Sequence, residues 1–133
     1  PNYEVPVAGH RYPLAMISPP ARNFLNSTFV NVESLRAIEK EPLVEMCSED
    51  ASARGIATGD TVRVFNDRGE YHCKADVTTR ARPGVVNGLG IWWRKMGLNG
   101  TNVNEVTSQL LTDLGRAPVF YDCQVEVALL KKA

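Results

Sequence analysis

No apolar run in this chain approaches the ~20 residues that cross a bilayer as a helix, so no helical membrane span is expected. Charge of one sign is also lacking, since fifteen Lys and Arg balance fifteen Asp and Glu for a net charge of +0. That balance argues against the general basic footprint of a nucleic-acid-binding protein. Cysteine is scarce. Cys47, Cys73 and Cys123 stand far apart, with no C-x-x-C pair and no Cys/His cluster, which argues against an iron–sulfur or zinc site within this chain. Their odd number favours a reducing compartment, and cytoplasmic localisation is the expectation; the plain reading is three small residues in strands or core. His10 and His72 are the only histidines. Neither has a Ser, Cys or carboxylate at a telling spacing, so no catalytic histidine is expected. Phosphate-loop, nucleophile-elbow and H-E-x-x-H patterns are all missing. Nor does the sequence open on a signal peptide; Pro1 is the first residue, and the chain is expected to begin inside a longer protein.

What is present suits one globular domain: 133 residues, 44% of them hydrophobic, enough for a real core. Residues 1–12 are polar and aperiodic and read as an arm or linker from a preceding domain; residues 13–133 form the domain proper. Leu14–Ile17 is a short apolar run between prolines, read as a fully buried strand. Ser18–Asn31 follows as a long loop rich in Pro, Asn and Ser, and loops of that length are often functional. Val32–Lys40 reads as a helix with Leu35 and Ile38 on one face, ended by Glu41-Pro42. Leu43–Met46 is a strand.

Cys47–Val77 is the organising stretch. Ser48 is placed to cap a helix whose first turn holds Glu49 and Asp50, where the helix dipole favours acids. Gly55 suits the left-handed residue that ends it. Gly59-Asp60 makes a turn. In Thr61–Phe65, Val62 and Val64 share one face and Arg63 the other. Asp67-Arg68-Gly69 is a hairpin-type turn. Tyr71, Cys73, Ala75 and Val77 then alternate with His72, Lys74 and Asp76, the pattern of a half-buried strand.

Arg82-Pro83-Gly84 turns the chain, and Val85-Val86 starts another strand. Asn87–Thr101 is Gly-rich, with Trp92 and Trp93 adjacent and a basic pair, Arg94 and Lys95. On a strand the two tryptophans point oppositely, so one should be exposed or facing a partner. Asn102–Leu114 reads as a short helix with Asn104 as its cap and Gly115 as its stop. Gln124–Leu129 is a last alternating strand, with Val125, Val127 and Leu129 inward. Short strands, turns every ~8–12 residues and brief helices indicate a mainly β barrel or sandwich.

Three stretches carry groups suited to binding. Ser18, Arg22, Asn26, Ser27 and Thr28 offer a bidentate phosphate partner with hydroxyl and amide groups around it; they also suit a solvated loop of Asx and Ser turns. Trp92 suits a planar ring or another domain. Asn102 and Asn104 offer paired donors and acceptors, and equally turn formation and helix capping. Phe120 and Tyr121 precede the last strand and also read as an ordinary aromatic strand entry.

The acidic pair, Ala, Gly55-Ile56, Gly59-Asp60, Val62-x-Val64 and Arg68-Gly69 resemble the core signature of the molybdopterin dinucleotide-binding domain of the dimethyl sulfoxide reductase and formate dehydrogenase group. The flanks agree in order: a loop Arg (Arg22) followed by Ser27, then Asn102-x-Asn104 with Thr107, then an aromatic residue (Phe120) before the final strand. Two positions depart. Asn26 stands where the family often has His, and Tyr121 where Lys is common, so two cofactor contacts lose a cationic donor. The resemblance implies a mainly β, double-psi β-barrel with a few short helices. It implies a C-terminal domain that holds molybdopterin guanine dinucleotide, with Mo or W, through Ser18, Arg22, Asn26, Ser27, Thr28, Trp92, Asn102, Asn104, Phe120 and Tyr121. The metal ligand and the cluster cysteines of the family lie upstream, so the isolated chain is not expected to catalyse a reaction or to retain the cofactor. Its expected partners are the remaining domains of the parent, with no nucleic acid and no membrane. Two other readings share the barrel: a small separate subunit of the formylmethanofuran dehydrogenase type, and a double-psi barrel that binds protein or peptide.

Overall fold

The computed structural model describes residues 11–25, 28–90, 92–107, 115–116 and 123–133. Its six strands are β1 (Leu14–Ile17), β2 (Leu43–Met46), β3 (Thr61–Asn66), β4 (Gly69–Val77), β5 (Val85–Leu89) and β6 (Cys123–Lys131). They close into a barrel in the order β1-β5-β2-β4-β3-β6. β1 runs parallel to β5 and β2 parallel to β4, and the other four pairings are antiparallel. β5 therefore lies between β1 and β2, while β2 lies between β4 and β5. Exchanging β1–β3 with β4–β6 leaves every neighbour relation unchanged, which is the twofold interlock of a double-psi barrel.

Alternation along the strands fills the interior. Val62, Val64 and Val125 are fully buried and Val127 is 2% exposed, as their spacing predicts. They share one core with Leu14, Met16, Val44, Met46, Tyr71, Cys73, Ala75 and Val86. Each Val, Leu or Met side chain among them contributes roughly 1.5–3 kcal/mol on leaving water. β1 departs from the fully buried strand expected of it. It alternates instead, with Ile17 39% exposed, because a barrel strand turns every second residue outward. Gly88 in β5 lacks a side chain for a steric reason: a Cβ there would stand 2.7 Å from the Tyr71 hydroxyl. All three cysteines are buried, and no disulfide joins any two of them.

Two helices lie outside the barrel: α1 (Glu33–Glu39) and α2 (Ser48–Ala53). The residue capping α2 is Cys47 rather than Ser48. Its Sγ accepts from the Asp50 backbone N–H at 3.4 Å and donates to Asp50 Oδ2 at 3.2 Å. Gly55 closes this unit at φ +66°, as expected. On α1, Leu35 packs inward as predicted but Ile38 is 61% exposed. In place of a helix starting at Asn104, Val103–Glu105 forms one 3-10 turn capped by Asn102, whose side chain accepts from Asn104 N–H. Residues 108–114 and the arm 1–10 lie outside the described residues; Tyr12, at the end of that arm, is buried and donates to Asp67 Oδ1 at 2.6 Å.

Buried polar groups pin the periphery. Asn66 Nδ2 donates to Val106 O and Gln124 O, and its Oδ1 accepts from Arg68 N–H in the β3–β4 turn. Glu45 accepts from Arg80 Nε at 3.0 Å and Asn87 Nδ2 at 3.2 Å. Asp60, 2% exposed, ties the chain's last residues to the turn before β3. Its carboxylate accepts from the backbone N–H of Ala133 and of Ala57 and from Lys132 Nζ, each at 2.9 Å. These donors, Ala133 N–H foremost, hold its pKa down at about 2, below the ordinary 3.8. A depressed carboxylate stabilises the fold above its unfolded pKa, and that contribution is lost as pH falls towards the folded one. The Asp60 contribution should therefore be intact above about pH 4 and disappear between pH 4 and 2. Melting temperatures of wild type and Asp60→Asn across that range should converge at the acid end and separate above it; parallel curves would show that Asp60 is not the linked group.

Candidate functional site

β1 and β5 are parallel neighbours, so the loops leaving them start side by side on one rim of the barrel. The first is the Ser18–Thr28 loop and the second enters the Trp92–Asn104 segment. Gly90 N–H donates to Pro19 O at 2.8 Å and joins them. Gly90 itself sits at φ +72°, and a Cβ on it would lie 3.0 Å from Ala21 Cβ.

A second apolar cluster forms over this junction from Ala21, Phe24, Val30 and Trp92, with Leu35, Leu89, Trp93 and Met96 against it. Phe24 and Trp92 meet edge to face at a centroid separation of 5.1 Å, a favoured aromatic geometry. The two tryptophans are not on a strand, which removes the reason for them to point oppositely. Trp92 is 3% exposed, Trp93 is half-buried against the same cluster, and Lys95 Nζ stands 5.0 Å from the Trp93 ring centre. The expectation that one tryptophan faces outward gives way to a shared apolar anchor.

Ala21–Phe24 is a tight turn closed by Phe24 N–H to Ala21 O at 3.0 Å. Ala21 and Phe24 are its buried feet. Arg22 is at its exposed tip, and its guanidinium has no partner among the described residues. Asn23, beside it, is held by Glu39 Oε1, which accepts from the Asn23 backbone N–H at 2.7 Å and from its Nδ2 at 2.8 Å. Ser18 is half-buried and Thr28 exposed; Thr28 pairs with Leu25 through two backbone hydrogen bonds.

Asn102 is placed in the second segment by both halves of its amide. Nδ2 donates to Trp92 O at 2.9 Å and Oδ1 accepts from Asn104 N–H at 3.0 Å. One N–H and one lone pair are left for a ligand. Asn104 is exposed. A small cavity of about 10 Å³, one water's worth, lies beneath this segment among Tyr71, Gly88, Trp92 and Asn102. Of the candidate positions, Ser18, Arg22, Thr28, Trp92, Asn102 and Asn104 thus belong to two segments joined through Pro19–Gly90 and Phe24–Trp92, with Trp92–Asn102 fixing the second. Asn26, Ser27, Phe120 and Tyr121 lie outside the described residues. Cys123, just after the last two, donates to Val106 O at 3.2 Å, next to the 3-10 turn.

His72 has more company than its spacing indicated. Its Nε2 lies 3.4 Å from Glu70 Oε2 and 3.5 Å from Asn99 Nδ2, and its N–H meets Thr101 Oγ1. Glu70 is two residues away, a spacing that brings side chains together on one face of a strand. The residues missed entirely are Asn23, Arg36 and Glu39. No local pattern marks them, because Asn23 and Glu39 are 16 residues apart and meet only through the fold.

The Gly90 contact is testable. An L-residue at its φ costs about 1–3 kcal/mol in strain. Gly84, at φ +79° with nothing within 4 Å of the place a Cβ would take, isolates strain alone. Gly90→Ala should lower stability in urea unfolding by more than Gly84→Ala, the excess reporting the Ala21 contact; equal losses would mean the loop is not packed on β5.

Comparison with known proteins gives the family. Residues 14–124 match the family described as the molydopterin dinucleotide binding domain. Over 127 residues the chain is 35% identical to the "Probable oxidoreductase YoaE" of Bacillus subtilis, covering 96% of this chain and 18% of that protein. It is 37% identical over 119 residues to the dimethyl sulfoxide reductase DmsA of Escherichia coli, covering 86% of this chain and 14% of that one. The fold resembles acetylene hydratase from Pelobacter acetylenicus with a TM-score of 0.77 at 17% identity, over 88% of this chain and 18% of that one. The chain thus spans less than a fifth of the length of each of these relatives. With the matched segment running from β1 into β6, the chain belongs to the molybdopterin dinucleotide-binding domain family found in oxidoreductases.

Proposed function

We propose that this chain is the C-terminal domain of a larger molybdenum or tungsten oxidoreductase and holds the guanine dinucleotide form of molybdopterin on the rim shared by β1 and β5. The observation that carries this reading is Arg22, a guanidinium raised on an anchored turn with no partner among the described residues. A guanidinium matches a phosphate bidentately, and a turn with buried feet holds it there at little entropic cost on binding. The donor set fits the group: Arg22 for the pyrophosphate, the Ser18 and Thr28 hydroxyls of the same loop, and the spare amide groups of Asn102 and Asn104 for a heterocycle edge. Trp92 supports this face from beneath, as its burial favours anchoring over stacking. When bound, the cofactor's dithiolenes hold the metal that carries the redox chemistry. The residues of this chain bind and orient. The remaining domains of the parent would complete the face, and three buried cysteines with no disulfide between them favour a cytoplasmic setting.

Losing a charged hydrogen-bond donor costs about 1.5–3 kcal/mol, roughly 10- to 100-fold in affinity. Arg22→Ala in the full-length protein should reduce molybdopterin content, read from the fluorescence of the oxidised pterin released on denaturation, without shifting the melting transition. Undiminished content would remove Arg22 from the site. The chain by itself, given cofactor, should show no turnover of formate, nitrate or a sulfoxide; activity above a no-protein control would contradict the assignment of a binding role alone.

A further inference from the structure

Helix α1 fully buries no residue; its Leu35 packs, half-buried, against the loop cluster. Hydrophobic burial is what ordinarily holds a surface helix of this length, since seven residues are too few to be stable alone. Beyond Leu35, its contacts are polar and reach both site segments. Glu39 Oε1 takes both the backbone and side-chain N–H of Asn23, adjacent to Arg22. One turn earlier, Arg36 Nη1 donates to Val30 O at 3.2 Å, at the far end of the same loop, and lies 3.5 Å from Met96 Sδ in the tryptophan segment. Lys40 ends the helix at φ +64° with its N–H on Arg36 O, so the last turn is sharply stopped just past Glu39.

We infer that α1 is a polar clip, in which Glu39 and Arg36 act as positioning residues: Glu39 fixes the Arg22 turn and Arg36 ties that loop to the Trp92–Asn104 segment. This rests on the cofactor reading above, because the clip matters to function only if Arg22 meets the ligand. A carboxylate accepting two N–H bonds from one residue fixes both its position and its direction. Without it, the Ala21–Phe24 turn keeps its two buried feet but its tip is free to swing. The barrel core, which touches neither Glu39 nor Arg36, is left intact.

The test is made in the full-length protein with four variants: Glu39→Ala, Glu39→Gln, Asn23→Ala and Arg22→Ala. Molybdopterin content per polypeptide and the melting transition are measured for each. Removing a supporting group of this kind costs about tenfold in affinity in comparable sites. Glu39→Ala should therefore lower cofactor content with an unchanged melting transition. Glu39→Gln, which keeps an acceptor oxygen where Oε1 stands, should restore most of it. Normal content in Glu39→Ala alongside reduced content in Arg22→Ala would overturn the clip and leave the cofactor reading standing. Normal content in both would overturn the two together. Equal losses in Glu39→Ala and Glu39→Gln would also overturn it, since the acceptor geometry would then not be what matters. Should Glu39→Ala fail to fold, Asn23→Ala decides the question: it removes one of the two donors and leaves the helix untouched, and it should reduce content by a smaller factor. Wild-type content there would overturn the proposal.

Discussion

A closed barrel has no free sheet edge, so every strand must satisfy its backbone groups on both sides. Here that constraint falls hardest on β1, which has four residues and pairs with β5 on one side and β6 on the other. Closure forces β1 beside β5, some seventy positions later by residue number, and the pairing is parallel. Parallel strands release their chains at the same end. The long loop after β1 and the tryptophan segment after β5 therefore emerge together, and their shared rim follows from how the barrel closes. The other parallel pair, β2 with β4, is the counterpart of this one under the twofold exchange of the two halves.

Two apolar cores divide the work. The barrel interior is built mainly of strand residues at alternating positions, joined by Ala51, Ile56, Val103 and Val106 from outside the strands. The smaller cluster around Phe24 and Trp92 is built of loop residues, and it converts two loops into a fixed surface. Loops seldom form a core of their own, because the backbone polar groups in them need partners. Here those partners are supplied: Asn102 takes the Trp92 carbonyl, Gly90 binds Pro19, and Glu39 takes the Asn23 amide.

Among the polar contacts, burial decides which matter. The Arg11–Asp67 pair is exposed on both sides at 3.5 Å, and such pairs contribute about 0–1 kcal/mol. Arg54–Glu126 is mostly buried on both sides and meets two oxygens, a geometry that joins α2 to β6. Asp60, Asn66 and Glu45 are buried and satisfied. An unsatisfied group at any of these places would cost its full desolvation penalty, so each fixes the segments that supply its donors and acceptors.

The barrel strands were legible because alternation is a local pattern. Val62, Val64, Val125 and Val127 announce an inward face by their spacing alone, and the Gly55 and Gly59-Asp60 turns announce where the chain reverses. Local readings failed where a distant contact chose between similar residues. Cys47 caps α2 in place of Ser48, since its thiol can both accept from Asp50 N–H and donate to the Asp50 carboxylate. Asn102 caps the 3-10 turn in place of Asn104, since its other end is tied to Trp92 O. Trp92 and Trp93 share one cluster because the chain there is not extended into a strand. What the order of residues determined by itself was the inward face of β3, β4 and β6, the turns between the strands and the family signature, all carried by neighbours in the chain. Only the tertiary structure decided that β1 lies parallel to β5, that Arg22 is raised on a turn beside the tryptophan segment, and that Glu39 reaches Asn23. Those relations join residues whose spacing carries no period, and they exist only once barrel closure has brought the two loops to one rim.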